Sequence, residues 1–505
     1  MSAQEKGYKD TLSLPQTSFP MRGDLVKNEP RRLAQWEEDG LYRKIVARRR
    51  AEGAPRFILH DGPPFANGDV HMGTALNKVL KDLVVKSRTM AGCEVPFVPG
   101  WDCHGLPIEF KVVQEARDEE PAEIRRRCEK FARGWIDIQR ESFRRLGVFG
   151  DWENPYLTLD PGYEAEIIRV FATLVEKGTV YQSKKPVQWS YGAHTALAEA
   201  EVEYADHVSQ SVFVKFPVVG EDNTHLIIWT TTPWTLPANL AVAYHSKFTY
   251  KKVRVKGEAY IVEGTLLSKV TETCGWENAE EIGSLQGDEV GALEYHHPFI
   301  NKTAKLFAGD NFVDNATGTG FVHVAPGHGM DDYHLGCEQG LPIYCPVDDN
   351  GQFTHTDDLP ESEQMPADLL GKSILEKKGK SEANEAVIAL LQEKTALVHQ
   401  ESYTHSYPHC WRSKTPVIFR GMDQWFIKID HENFRQQALA TINEVNWVPA
   451  WGQNRIQGAV ESRPDWCISR QRSWGVPIPA FYSTEGEPIL DARIVRRTAD
   501  LIEEH

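Results

Sequence analysis

His71 and Gly73 lie two residues apart at the start of a predicted helix, where they suit phosphate binding. A helix N-terminus offers unpaired backbone N–H groups and a partial positive charge. A glycine there allows a nucleotide to approach the backbone closely, and a histidine can donate to phosphate oxygens. An isolated His-x-Gly is more often a tight loop with a surface histidine, so the surrounding residues must decide between the two interpretations.

The residues around this pair predict a strand, a turn and a helix, in that order. Residues 57–59 are apolar and few enough for a buried strand of a parallel sheet. Residues 61–68 are too rich in Gly, Pro and Asn for a helix or a strand. A helix over 75–88 follows, with an apolar face that we expect to be buried. That face consists of Leu76, Val79, Leu80, Leu83 and Val84.

A second apolar segment, residues 96–98, comes shortly before Asp102. Ligands of parallel sheets bind at the carboxyl ends of the strands, so Asp102 is expected at that edge. A carboxylate there can bind a primary ammonium, and the alternative is a helix N-cap. Cys103 and His104 have no partner cysteines at metal-ligand spacing, so a metal site is not predicted.

These two segments resemble one known family. HDGPPFANG at 60–68, followed by HMGT at 71–74, resembles the first signature, HIGH, of class I aminoacyl-tRNA synthetases in its isoleucyl form. PGWDCHGLPIE at 99–109 is similar to the same isoleucyl members. The family's second signature histidine is replaced here by Thr74, which can donate one hydrogen bond but carries no charge.

The resemblance implies a catalytic site for adenylate formation. It implies ATP, with Mg²⁺, as cofactor, and tRNA(Ile) and isoleucine as partners. ATP would be bound by Pro64, Asn67, Gly68, His71 and Gly73, with His71, Gly73 and Thr74 as the catalytic residues. Isoleucine would be bound by Pro63, Asp102 and Trp474. Simple core packing is the alternative for Trp474.

Residues 205–400 interrupt the α/β pattern with β-type segments at 212–216, 226–229, 250–255 and 260–262. WTTTPWTLPAN at 229–239 and GTGFVHVAPGHGMDDY at 318–333 resemble the family's editing domain, which hydrolyses mischarged valine. Such a site is useful because a pocket separates isoleucine from valine by only about 10–200-fold, the example by which this limit is usually illustrated. The resemblance implies editing roles for Thr230, Thr231, Thr232, His323 and Asp332. A threonine-bearing strand and a metal-binding or capped turn are the alternatives.

Many family members carry a zinc site made by two Cys-x-x-Cys pairs. The matching positions here are Ser190, Ala193, Cys410 and Ser413, so three of the four ligands are absent. A structural zinc needs four ligands, and only His194 and His409 lie next to these positions. We predict no metal there.

Composition sets the remaining bounds. A length of 505 residues predicts about three domains. Eight cysteines without a pairing pattern, no run of 18 apolar residues and no signal peptide predict a cytoplasmic protein without membrane attachment, which we expect to be a monomer. The net charge of −16 argues weakly against nucleic acid. Basic clusters at 48–50, 125–127 and 144–145 are either solvated helix surfaces or phosphate contacts.

The predicted fold is α/β, a Rossmann-type parallel-sheet catalytic domain interrupted by a β-rich editing domain. We expect an N-terminal arm over 1–56, catalytic halves over 57–204 and 401–505, and the editing domain over 205–400. The family's second signature, KMSKS, does not occur in the sequence, nor does an anticodon-binding region, which predicts an N-terminal fragment with weak isoleucine activation by itself. A free-standing Val-tRNA deacylase and a non-catalytic tRNA-binding paralogue are the alternatives.

Overall fold

The computed structural model describes residues 11–13, 17–19, 22–115, 119–377 and 380–504, so part of the predicted arm lies outside it. The chain divides into two compact units. The first comprises the described residues of Met1–Glu164, Ser473–Gly475 and Ile502–His505, and the second those of Ala165–Arg472 and Val476–Leu501. Within the described ranges, no helix is both long and apolar enough to span a bilayer.

The structure is a mixture of helices and strands. The helices are α1 Leu25–Glu38, α2 Leu41–Ala51, α3 Met72–Met90, α4 Leu106–Val113, α5 Pro121–Arg145, α6 Pro161–Glu176, α7 Leu267–Thr273, α8 Gly287–Gly291, α9 Met330–Glu338, α10 Glu382–Glu393, α11 Phe434–Glu444, α12 Gly452–Glu461 and α13 Ala492–Glu504. The strands are β1 Gly100–Trp101, β2 Tyr156–Leu157, β3 Val180–Ser190, β4 Thr195–Leu197, β5 Val202–Pro217, β6 Thr224–Thr230, β7 Ala241–Tyr244, β8 Thr249–Val255, β9 Glu258–Glu263, β10 Glu280–Gln286, β11 Glu294–His296, β12 Thr303–Ala308, β13 Val322–Val324, β14 Glu376–Lys377, β15 Lys380–Ser381, β16 Leu397–Cys410, β17 Ile418–Ile427, β18 Trp466–Cys467, β19 Phe481–Tyr482 and β20 Pro488–Ile489. A mixed α/β class is therefore confirmed.

The second unit is built on β-sheets. A six-stranded sheet has the order β10-β8-β9-β6-β5-β16, and two four-stranded sheets have the orders β11-β12-β7-β13 and β18-β17-β3-β4. The predicted strands at 212–216, 226–229, 250–255 and 260–262 fall in β5, β6, β8 and β9, so these predictions are confirmed. Their β-branched and aromatic residues are buried on both faces, in two apolar cores. Such residues are typical of strands, which is why pattern alone located them.

Neither of the two strands predicted in the first unit is a regular strand in the structure, so these two predictions are wrong. Residues 57–59 contribute one backbone bond, from Phe57 N to Glu94 O at 2.8 Å, and Ile58 is 67% exposed. Residues 96–98 also lie outside a strand, because the regular parallel pairing begins two residues later, between β1 and β2. The parallel sheet of a complete Rossmann domain therefore stays a prediction.

Helix α3 confirms the predicted helix over 75–88, but its buried face is not the predicted one. Leu76, Leu80 and Leu83 are 59%, 52% and 59% exposed, and Val79 and Val84 are exposed as well. The buried residues are Lys78, Asp82 and Val85. Charged residues occupy the interior when a partner satisfies them, and both Lys78 and Asp82 have such partners.

Candidate functional site

The predicted ATP-binding residues at the start of α3 form a local hydrogen-bonded cap. The His71 Nδ1 atom accepts hydrogen bonds from Gly73 N at 3.1 Å and Thr74 N at 3.3 Å. A neutral imidazole that accepts at Nδ1 carries its proton on Nε2. Nε2 lies 3.1 Å from the Thr74 hydroxyl oxygen, so it donates to that oxygen and leaves the hydroxyl proton for another acceptor. His71 and Gly73 are exposed, as a phosphate-binding helix start requires.

Asp61 anchors the turn that precedes this helix, and sequence reasoning missed it. Its carboxylate is buried and accepts from Lys78 Nζ, from Lys81 Nζ at 2.6 Å and from Gly100 N at 3.0 Å. The Asp61 carbonyl accepts from the Tyr156 hydroxyl at 2.6 Å. The spacing of the two lysines, three residues apart on α3, was a signal for a shared anionic partner.

The turn is joined directly to the segment that carries Asp102. Ala66 N donates to Asp102 O at 3.0 Å, and Asp102 N donates to Pro64 O at 2.9 Å. Two segments that are distant in the sequence, each with isoleucyl-like residues, therefore pair backbone to backbone. Asn67 lies on the same turn and donates from Nδ2 to Pro107 O at 3.3 Å.

The Asp102 side chain is half-buried and can receive a cation. Its carboxylate accepts from His104 N at 3.4 Å, and burial raises the pKa of Asp102 above its ordinary value. The N-cap of α4 is Gly105, so the N-cap interpretation of Asp102 is wrong. An ammonium beside this carboxylate would offset the cost of burying its charge.

Trp474 lies beside the same segment, in the core of the first unit. It is 4% exposed, its Nε1 atom donates to Cys103 O at 2.6 Å, and its ring lies edge-on to His104 at 5.0 Å. Glu109 accepts hydrogen bonds from the backbone N–H groups of Ser473 and Trp474. These contacts show core packing for Trp474, and a role as a wall of the amino-acid pocket stays a prediction, as it does for half-buried Pro63.

In the second unit, three of the predicted editing residues join one hydrogen-bonded chain. The Thr230 and Thr232 hydroxyls lie 3.3 Å apart, and Thr232 is in turn 3.3 Å from the Thr235 hydroxyl. Thr235 continues the chain to His323 Nε2 at 2.9 Å. The threonine run thus leads from β6 through a short 3₁₀ turn, Pro233–Ala238, to β13. Sequence reasoning missed Thr235, although it lies within the quoted motif.

His323 and Asp332 are set for opposite roles by burial. Burial lowers the pKa of His323 to about 4, so the ring is neutral at pH 7, and its Nδ1 atom has no described hydrogen-bond partner. Burial raises the pKa of Asp332 to about 7, and its carboxylate accepts from Ala325 N at 3.2 Å. Asp332 lies in the first turn of α9, three residues beyond the Gly329 N-cap.

Thr231 makes none of the described hydrogen bonds that join its two neighbours. With Thr232 and Trp234 it lines a small cavity of about 30 Å³, which also borders His207 and Glu376. The structure therefore brings Thr230, Thr232 and His323 into one hydrogen-bonded chain but does not bring Thr231 into it. Among the residues that the structure describes, no group of three or more His, Cys, Asp or Glu is arranged to hold a metal.

The family of the chain follows from a comparison with known proteins. The model for "tRNA synthetases class I (I, L, M and V)" matches residues 31–505. The chain belongs to this family.

Curated relatives and solved structures resemble this class I synthetase chain to different degrees. It is 50% identical over 503 residues to "Isoleucine--tRNA ligase" of Thermotoga neapolitana and 49% identical over 508 residues to that of Methylacidiphilum infernorum. The matches cover 98% of this chain but 53% and 54% of the relatives, so the chain spans about half their length. A solved LeuRS-tRNA-LeuAMS complex from Agrobacterium radiobacter K84 is 18% identical, with a TM-score of 0.36, and covers 93% of this chain and 52% of that chain.

The zinc position of this synthetase chain contains hydroxyl groups. The Ser190 and Ser413 hydroxyls are 3.3 Å apart, and Ser413 is 2.8 Å from the Thr415 hydroxyl. Ser190 also accepts from Ala193 N at 3.2 Å, and Cys410 is fully buried. Hydroxyl oxygens bound to one another are a poor donor set for zinc, which prefers thiolate and imidazole. The absence of zinc stays a prediction, as does any contribution from His194 or His409.

Replacing Thr74 by valine tests the altered signature of this synthetase. Thr74→Val keeps the side-chain shape but removes the oxygen that accepts from His71 Nε2. We expect the affinity for ATP, measured by calorimetry, to fall about 3- to 10-fold. The variant loses the hydrogen bond between His71 and residue 74 and the hydroxyl proton that Thr74 could donate to ATP. Thr89→Val on the same helix is the control, since its hydroxyl donates only to Val85 O within α3. Equal ATP affinity of the two variants would show that Thr74 takes no part in binding.

Proposed function

We propose that this chain carries the catalytic and editing regions of an isoleucine–tRNA ligase. The reaction would be ATP-dependent activation of isoleucine, transfer to tRNA(Ile) and hydrolysis of mischarged valine. The observation that carries the proposal is the backbone pairing of Pro64 and Ala66 with Asp102, because it brings two isoleucyl-type segments side by side. The 50% identity to ligases with this name supports the same assignment.

In the proposed activation step the protein positions reactants and stabilises charge. The α3 N-terminus with His71, Gly73 and Thr74 would face the ATP phosphates, and Mg²⁺ would enter with them. Asp102 would bind the isoleucine ammonium, so that the carboxylate is aligned to attack the α-phosphate and displace pyrophosphate. Such positioning can lower the barrier by about 7–11 kcal/mol without covalent catalysis. As negative charge develops on the phosphates, the hydrogen-bond donors at the start of α3 would stabilise it.

In the proposed editing step Asp332 would bind the ammonium of valine attached to tRNA. The ammonium would shift the pKa of Asp332 down from about 7 and so favour its charged form. Neutral His323, held by Thr235, would orient the ester or the attacking water through Nδ1. The Thr230 and Thr232 hydroxyls would order that water. Hydrolysis adds water across the ester and releases valine and tRNA.

Ligand selectivity tests the proposal on the chain as it is. We expect the non-hydrolysable sulfamoyl analogue of isoleucyl-adenylate to bind at least about tenfold tighter than the leucyl and valyl analogues, because a fitted pocket discriminates a methylene by that amount. Asp102→Asn should weaken all three, while Asp69→Asn, an exposed acid directly after the turn 61–68, serves as the control. Equal affinity for the three analogues, or binding of none, would overturn the assignment to isoleucine.

A free-standing Val-tRNA deacylase is the second candidate, and the chain Thr230–Thr232–Thr235–His323 favours it. The two functions differ in one result. Hydrolysis of Val-tRNA(Ile) without binding of any adenylate analogue would favour the deacylase.

The domain boundaries at 56, 204 and 400, the complete Rossmann sheet, the monomeric state and the cytoplasmic location are part of the same proposal. The editing region proposed over 205–400 is supported by the sheets formed by its strands.

A further inference from the structure

Gln139 is a buried polar residue in an otherwise apolar stripe of helix α5. It is 3% exposed. The buried residues of this helix recur every three or four positions, and the others are Ile124, Cys128, Ala132, Ile136 and Phe143. Burying an amide costs free energy unless it is hydrogen-bonded, so this position must have partners.

The side-chain amide of Gln139 is fully engaged by the two segments of the candidate site. Its Nε2 atom donates to Phe65 O at 3.0 Å and to Gly68 O at 2.7 Å. Its Oε1 atom accepts from Trp101 Nε1 at 2.9 Å. One side chain therefore holds both ends of the turn 65–68 and the residue before Asp102.

These bonds connect the proposed ATP turn to the segment that carries Asp102 in the proposed amino-acid pocket. The turn and Asp102 already pair through their backbones, and Gln139 adds side-chain hydrogen bonds to the same two segments. A leucine of similar size would fill the space but would remove the donor to the Phe65 and Gly68 carbonyls and the acceptor for the buried Trp101 indole N–H.

We propose that Gln139 is a positioning residue that fixes the ATP turn and the Asp102 segment in one geometry. The Gln139 amide is bonded to Phe65, Gly68 and Trp101, so it would act on the ligands through these residues. The ligand part of this inference rests on the proposed function, whereas the positioning part does not.

Hydrogen exchange tests the positioning without any ligand. In Gln139→Leu we expect the amides of residues 65–70 and 101–104 to exchange about tenfold faster, because local opening no longer breaks these bonds. Ile136→Val, one turn away in the same buried stripe, is the matched control and should leave both segments unchanged. Equal exchange in the two variants, or loss of protection spread over the whole unit, would overturn the proposal.

Ligand binding then separates this inference from the proposed function. If Gln139 positions both segments, Gln139→Leu should weaken ATP and isoleucine together, each about tenfold, whereas Asp102→Asn should weaken only isoleucine. A Gln139→Leu effect on one ligand alone would contradict the coupling. If the wild-type chain binds neither ligand, the proposed function fails, and the exchange result still decides the role of Gln139.

A glutamate at the same position gives a readout that packing alone would not move. In Gln139→Glu the carboxyl group faces two carbonyl oxygens, so its charged form is disfavoured and its pKa is raised. Below that pKa the neutral acid donates to one carbonyl, and above it the donor is lost. We expect protection of the amides of residues 65–70 in this variant to fall as pH rises, with no such change relative to wild type in Ile136→Val. A pH-independent Gln139→Glu would contradict the proposal.

Discussion

Asp332→Asn should reduce hydrolysis of Val-tRNA(Ile) about 100-fold while it stabilises the folded chain at alkaline pH. The loss follows because an amide cannot pair with the ammonium, and a charged hydrogen bond contributes about 1.5–3 kcal/mol. Deacylation is measured by release of labelled valine. Asp331→Asn is the control, since Asp331 is the exposed neighbour and should deacylate like wild type. Equal rates in the two variants would remove Asp332 from the site.

The stability effect has a defined pH window. The pKa of Asp332 is raised from 3.8 to about 7 in the folded chain, so the native state binds more protons than the unfolded state between these values. Stability from this group is therefore present at pH 4 and is lost as pH rises through 7. We expect Asp332→Asn to match wild type near pH 4 and to have a free energy of unfolding about 2 kcal/mol higher at pH 8. This is half of the free energy that corresponds to the full pKa difference, because the carboxylate is partly exposed. Urea unfolding at the two pH values measures it, and a gain that is equal at both would contradict the pKa argument.

Asp61→Asn should destabilise the first unit by about 3–5 kcal/mol, because it leaves the buried Lys78 without its counter-ion. Lys78 is 1% exposed, and burial lowers its pKa even with Asp61 present. The asparagine amide has one acceptor oxygen in place of the two that bind Lys78, Lys81 and Gly100 N, so the turn that carries the ATP-binding residues would lose part of its anchor. Urea unfolding measures the stability, and ATP affinity should fall with it.

Two variants separate the buried pair from a general effect of mutation. Replacing both partners, Asp61→Leu with Lys78→Met, removes the unpaired charge and should recover most of the loss, as apolar substitutes of buried ion pairs often do. Asp69→Asn, at an exposed position directly after the same turn, should change stability by less than about 0.5 kcal/mol. A double variant as unstable as Asp61→Asn would mean that the anchoring of Gly100 and Lys81, rather than charge burial, dominates.

The exposed face of α3 shows where pattern reasoning fails. The periodicity of Leu76, Leu80 and Leu83 predicted their burial, yet the helix buries Lys78 and Asp82. Periodicity measures only how often apolar residues recur, and it does not register that Asp61 and Phe149 supply partners to the charged face. The same limit explains why Asp61 and Gln139 were missed.

The sequence by itself determined the family motifs, the helix that follows the first of them and the strands of 205–400, because those features depend on residues that are close together in the sequence. The tertiary structure alone decided that 64–66 pair with Asp102, that Thr235 links the threonine run to His323 and that Thr231 stands apart. It also set the pKa of Asp332 near 7 and that of His323 near 4. These properties depend on burial and on partners distant in the chain, and neither can be predicted from a residue's type and its neighbours in the sequence.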